Sequence, residues 1–199
     1  MSDSTASGSA GSDETAMKAS ILRGSLGALV REGSADAVIA KLSRETAAIC
    51  RNPPPATAWV PFVHFEAMHD AIAAVLGPSG PRRIAREGTM SGPVPLLRPV
   101  FAGMMRLFGG TPHTIYARLG EVMTYMTRGT EYVYRKTGDT SCVMRVAFPR
   151  RRDLTDATFE SLAGALEVAL AICNVRGTVS AAIAVPEGFR NAAEYTIAW

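Results

Sequence analysis

Residues 131–148 read EYVYRKTGDTSCVMRVAF, and here the period of the chain changes. EYVYRK alternates between side chains suited to opposite faces of a sheet, TGD is a tight-turn signal, and SCVMRVAF is again rich in strand formers. The stretch predicts a β-hairpin. The next segment, residues 155–173, places Phe159, Leu162, Leu166, Ala169 and Cys173 at three- and four-residue steps, the stripe of a buried helix. GTVSAAIAV (177–185) and AAEYTIAW (192–199), joined through PEGFRN, predict a second hairpin. The C-terminal half therefore reads ββαββ.

Working outward, the N-terminal half is helical. Ile21, Leu22, Leu26, Leu29 and Val30, then Val38, Ile39, Leu42 and Ile49, follow helical spacing on either side of Gly33-Ser34, which predicts a helical hairpin from Met17 to about Cys50. Three prolines, Pro53 to Pro55, impose an extended connector that Trp59 plugs into the core. A helix is predicted from Phe62 to Leu76, a short one from Pro81 that stops at Gly88, and another from Thr111-Pro112 to about Thr127. MSGPVPLLRP (90–99) should resist regular structure, leaving only a brief helix from Val100 to Phe108. The fold class is α+β: an N-terminal helical layer packed on a C-terminal antiparallel four-stranded sheet.

The chain has 199 residues and is 47% hydrophobic, enough for one domain with its own core. Residues 1–16 are rich in Ser, Gly and Ala, with no apolar run, and predict a disordered tail before a single domain at 17–199. The formal charge is +3, and the tail holds Asp3, Asp13 and Glu14 without a Lys or Arg, so removing its three negative charges leaves the domain at +6. The longest apolar window is interrupted by Glu167 and falls short of a membrane span. Cys50, Cys142 and Cys173 have no CxxC spacing and read as buried thiols of a cytoplasmic protein.

Candidate chemistry is sparse. His64 and His69 are five residues apart, so a helix turns them away from each other. Glu66 and His69 form a single Glu-x-x-His unit, read as part of an exposed polar face, and His113 sits in a helix first turn with an exposed or capping role. No nucleophile elbow, Walker loop, dinucleotide fingerprint or zinc-protease motif occurs. No catalytic residue, metal ligand or cofactor is assigned, and the chain is read as non-enzymatic.

Two surfaces remain open. In GTVSAAIAV, Ser180, Ala182 and Ala184 make one strand face uniformly small, which either packs a helix closely or leaves room for an apolar ligand. The candidate pocket joins these three to Phe65 and Tyr116, between the strand and the helices at 62–76 and 111–127. The alternative is contact with nucleic acid or another acidic partner through Arg135, Arg145, Arg150, Arg151 and Arg152, with Tyr132 and Tyr134 as a weak stacking platform. For the three consecutive arginines in FPRRRDLTD (148–156), the competing reading is a solvated corner between a strand and a helix capped by Thr155.

ILRGSLGALVREG (21–33), AWVPF (58–62), LFGGTPHTIYARLG (107–120) and AEYTIAW (193–199) resemble an uncharacterised family of roughly 200-residue myxobacterial paralogues. The order of elements, helices followed by ββαββ, also resembles the superfamily of haem-based nitric-oxide sensors, 4-vinyl-reductase-type ligand domains and vesicle-tethering subunits. That resemblance implies a sensory or scaffold domain that binds a small apolar ligand or a partner protein, with a homodimer as one arrangement. The Tyr-x-Ser-x-Arg signature of the haem sensors is absent, so no haem-binding residue carries over.

Overall fold

The computed structural model describes residues 15–148, 153–180, 182–184 and 191–199. Residues 1–14 of the expected tail lie outside this range, but Thr15 and Ala16, assigned to the tail by composition, are buried. Ala16 opens β1 (Ala16–Lys18), which pairs antiparallel with β2 (Trp59–Pro61) and β3 (Thr127–Arg128) in a small sheet of order β2-β1-β3. Strands of two and three residues are too short to show a period, so this sheet is invisible in the sequence. Trp59 is consequently not a core plug. It is half-buried, with Lys18 Nζ 3.8 Å and the Arg128 guanidinium 4.0 Å from its ring centre, a cation–π clasp across the three strands.

The expected helical hairpin is three helices, α1 (Ala19–Glu32), α2 (Ala35–Ile39) and α3 (Arg44–Arg51). Gly33 ends α1 in the left-handed region at φ 75°, and Ser43 opens α3 by accepting from the Thr46 amide at 3.2 Å. Then follow α4 (Phe62–Leu76), α5 (Gly80–Ser91), α6 (Pro93–Phe108) and α7 (Pro112–Met123). Two expectations fail here for identifiable reasons. Gly88 does not stop α5 but serves a helix crossing: a Cβ on Gly24 of α1 would lie 2.2 Å from the Gly88 carbonyl oxygen. Residues 93–99 do not resist helix, because Pro93 and Pro95 fall in the first turn of α6, where a missing N–H costs nothing; only Pro99 is interior.

The main sheet is antiparallel throughout. It contains β4 (Glu131–Gly138), β5 (Ser141–Ala147), β6 (Thr178–Val179), β7 (Ile183–Ala184) and β8 (Ala192–Ala198) in order β4-β5-β8-β6, with β7 also on β8. β6 and β7 are one interrupted strand position, so the sheet is four strands wide and its ββαββ order is as read. Cys142, Met144, Val146, Ala193, Tyr195 and Ile197 line its buried face.

Against the core lies α8 (Asp156–Ile172), capped by Thr155, whose hydroxyl accepts from the Thr158 amide. Beyond the single expected stripe, Ala163, Gly164, Val168 and Leu170 are buried too, so α8 is covered on more than one side. Its contact with α5 is closed at Gly164, where a Cβ would meet the Arg82 carbonyl oxygen at 2.0 Å. Arg82 then reaches Glu167 Oε1 through Nε at 2.8 Å and through a terminal nitrogen at 2.6 Å, and donates to the Val179 carbonyl of β6. One arginine thus ties α5, α8 and the sheet together.

Candidate functional site

The polar residues of α4 do not form an exposed face. His64, Glu66 and His69 are all buried, because α4 packs against α2, α3, α5 and α8 on different sides. His64 Nδ1 lies 3.0 Å from the Thr46 hydroxyl of α3. His69 meets two hydroxyls of α8, Nδ1 at 3.3 Å from Thr158 Oγ1 and Nε2 at 2.9 Å from Ser161 Oγ. Behind them the Thr155 hydroxyl donates to Asp70 Oδ1 at 2.6 Å. Burial lowers the His69 pKa to about 4, so the ring is neutral at physiological pH. No sequence motif announces this cluster: Ser161 and His69 are 92 positions apart, and the one available signal is that Thr158 and Ser161 fall at a three-residue step inside an otherwise apolar helix.

The cluster lies on the wall of a cavity of about 120 Å³. Along α8 the wall runs from Thr158 and Ser161 through Leu162, Ala165 and Ala169 to Ile172, one helical face. Fourteen steps of 1.5 Å from Thr158 to Ile172 make that face about 21 Å long. Opposite it stand Ile21 of α1, Phe62 of α4, Ala85 of α5, Val94 of α6, and Ile115 and Leu119 of α7, with Tyr132 and Val146 from the sheet. Ser25 and Thr89 add hydroxyls, and among the described residues no Lys, Arg, Asp or Glu lines the space. A long, uncharged, mostly apolar cavity with one hydrogen-bonded polar cluster can hold a neutral molecule; it has nothing to balance a charge.

Phe65, Tyr116, Ser180, Ala182 and Ala184 are not among the described residues that line this cavity. Phe65 is fully buried against Phe62, ring centres 6.3 Å apart, and Tyr116 is fully buried with its hydroxyl donating to the Leu166 carbonyl at 2.8 Å. Their helix neighbours Phe62 and Ile115 line the cavity in their place. Ser180 sits in the interruption between β6 and β7 and is occupied by β8, its amide donating to the Thr196 carbonyl and its hydroxyl accepting from the Thr196 amide, each at 2.8 Å. Ala182 packs against the core outside the cavity wall, and Ala184 pairs with Ala193. The cavity is lined by residues of α4, α7, α8, β4 and β5 and not by the small-residue strand.

The arginines divide. Arg150, Arg151 and Arg152 lie outside the described residues. Arg135 and Arg145 occupy the outer face of the main sheet, where Arg145 stands beside Val133 on one strand and Glu194 on the other, and Arg135 is paired with Val143. That face mixes charge with aliphatic surface. Tyr132 and Tyr134 point the other way, Tyr132 to the cavity and Tyr134 to His113, so they offer no stacking platform there. His113 acts as a clasp: its Nδ1 is 2.7 Å from the Tyr134 hydroxyl, its Nε2 2.9 Å from the Asp139 carbonyl oxygen, and its ring sits edge-on to Trp199 at 4.5 Å. Since a carbonyl only accepts, Nε2–H donates to Asp139, and in the neutral ring Nδ1 accepts from Tyr134.

No family model matches the sequence, and no curated protein is significantly similar to it. Nothing therefore supports the myxobacterial resemblance. Solved structures do match. A doubly substituted Tt H-NOX domain superposes with a TM-score of 0.65 at 12% identity, over 92% of this chain and 95% of its own. An Fe(II) unliganded H-NOX variant from K. algicida gives 0.65 at 11%, over 92% and 96%. An oxygen-binding H-NOX domain related to soluble guanylate cyclases, in its oxygen complex, gives 0.63 at 11%, over 92% and 94%. The fold is the H-NOX fold.

Two of these domains are an Fe(II) protein and an oxygen complex, and others of the fold are haem proteins, so the residues of this chain are compared with the needs of a haem. Each of its three histidines already holds a protein partner: His64 a threonine, His69 two hydroxyls of α8, His113 a tyrosine and a carbonyl. Burial raises the thiols of Cys50 and Cys142 to about 11, away from the thiolate a metal needs. The hydroxyls of Tyr116 and Tyr195 donate to the Leu166 and Phe159 carbonyls of α8. The cavity's volume of about 120 Å³ is below the roughly 300–1,000 Å³ of pockets for drug-sized ligands, and α5 and α8 touch backbone to backbone at Gly164. A haem does not fit the described residues.

Proposed function

We propose that this chain is a non-enzymatic sensory domain on the H-NOX fold that binds a small apolar ligand directly, without a haem, and passes its presence to a partner protein. The observation that carries the reading is the elongated apolar cavity along α8. Ligand pockets are concave, mostly apolar and equipped with few polar groups, which is the composition found here. An engineered apolar cavity of similar size, about 150 Å³, takes up benzene or xenon, so the scale suits a ligand.

Ser161 and His69 have the spacing of a nucleophile and its base, but binding accounts better for them. A ring with a pKa near 4 is a weak base at pH 7. The pair also sits against the interior of a helix, whose amides are committed to the helix and cannot form an oxyanion hole. Three free cysteines suit a reducing compartment and support a cytoplasmic location. No helix among the described residues is long and apolar enough to cross a membrane.

Native mass spectrometry of the protein as purified, followed by titration with hemin, tests the proposal. The expected result is an extra mass of a small neutral molecule, or uptake of added apolar ligands, with no stoichiometric Soret band from hemin. A one-to-one hemin complex with a shifted Soret band overturns the haem-free reading. A chain that takes up neither hemin nor apolar ligands overturns the sensory one.

A further inference from the structure

We infer that the ligand is a neutral short-chain amphiphile, such as a four-carbon aliphatic alcohol, with its head group seated at His69, Thr158 and Ser161 and its tail directed along α8 toward Ile172. The inference rests on the cavity reading above and adds the class and orientation of the ligand. Shape comes first. A void of about 120 Å³, slightly smaller than the cavity of about 150 Å³ that takes up the six heavy atoms of benzene, holds about five heavy atoms. Its wall follows α8 from Thr158 to Ile172, a distance of about 21 Å. So small a volume beside so long a wall is narrow, and it suits a short chain better than a six-membered ring.

Polarity then sets the direction. Only at the N-terminal end of α8 do three described polar side chains of the wall meet within hydrogen-bonding distance, His69 to Ser161 at 2.9 Å and to Thr158 at 3.3 Å. Toward the other end of the α8 wall stand Val168, Ala169 and Ile172. A neutral imidazole with two hydroxyls keeps spare capacity in either tautomer. If the Ser161 hydroxyl donates to Nε2, its lone pairs accept from a ligand O–H; if Nε2–H donates to Ser161, that hydroxyl's proton is free for a ligand oxygen. Charge excludes the fatty carboxylate. No Lys or Arg is on the described wall, burial keeps His69 uncharged, and a carboxylate buried without a counterion is strongly disfavoured.

The test compares 1-butanol, n-pentane and butanoate on the full chain at pH 7.5, by calorimetry and by ligand-induced thermal shift. 1-Butanol is expected to bind most tightly and butanoate most weakly. Ser161→Ala is expected to weaken 1-butanol about fivefold, the loss of one neutral hydrogen bond, while leaving n-pentane unchanged, and Thr158→Val to act in the same direction. Equal binding of butanol and pentane with no effect of either substitution overturns the head-group seat and leaves the apolar cavity standing. Preference for butanoate overturns the neutral class. Failure of all three to bind overturns the cavity reading itself. If either variant fails to fold, the three-ligand series on the unsubstituted protein still decides.

Discussion

His69 shows how one side chain acquires a role that its sequence position does not suggest. It is buried on α4, bonded to two hydroxyls of α8, and lowered to a pKa of about 4 by desolvation. The unfolded chain binds a proton at this ring near pH 6.5, well before the folded chain does. Stability from His69 is therefore complete above about pH 6.5 and is lost as pH falls toward 4, in total about 3 kcal/mol. Chemical denaturation at pH 7 and pH 4.5 should show this fall beyond that of a His69→Gln variant, whose pH slope is expected to be flatter over the same window. Equal slopes for the two proteins would mean that His69 is solvated in the fold.

At the scale of elements, backbone contact between helices organises the molecule. Gly24 and Gly88 let α1 cross α5, and Gly164 lets α8 lie on the Arg82 carbonyl. A Cβ at Gly164 would sit 2.0 Å from that oxygen, and backbone cannot move aside as a flexible side chain would. Gly164→Ala is expected to destabilise by about 3 kcal/mol, the upper range for overpacking. Gly103 in α6 has nothing within 4 Å of its would-be Cβ, so Gly103→Ala should stabilise by about 0.5–1 kcal/mol through the helix preference of alanine. Urea midpoints of the two variants should thus move in opposite directions. A Gly164→Ala protein as stable as its parent would show that the α5–α8 crossing is looser than described.

The whole molecule has a cavity because α8 is enclosed by elements from both halves of the chain. Filling that space should separate binding from folding. Ala165→Phe projects a ring into the void, so Tm is expected to stay within about 4 °C while the uptake of apolar ligands is abolished. Retained binding in this variant, measured by the same thermal shift, would place the ligand elsewhere.

What was legible in the sequence was local. The alternation of EYVYRK, the stripe of residues 155–173 and the final hairpin each carry their period within a few residues, and together they specify ββαββ and the α+β class. The breaks at Gly33 and at the prolines of 53–55 carry their own backbone constraints. Short-range chemistry also explains the failures: a glycine in a helix reads as a stop until a second helix is found against it, and Pro93 and Pro95 read as breakers until their first-turn position is known.

The site was a different matter. Phe65 and Tyr116 lie on α4 and α7, but which face of each helix meets the void depends on helix rotation, and the void itself depends on how α1, α5, α7 and the sheet close around α8. His69, Thr158 and Ser161 lie on two elements separated by most of the chain, and their convergence is a property of packing. By itself the sequence determined the elements and their order, because periodicity and turn chemistry act between neighbours. Only the tertiary structure decided where the cavity lies and which polar groups face it, because desolvation and contact act between residues that the chain keeps far apart.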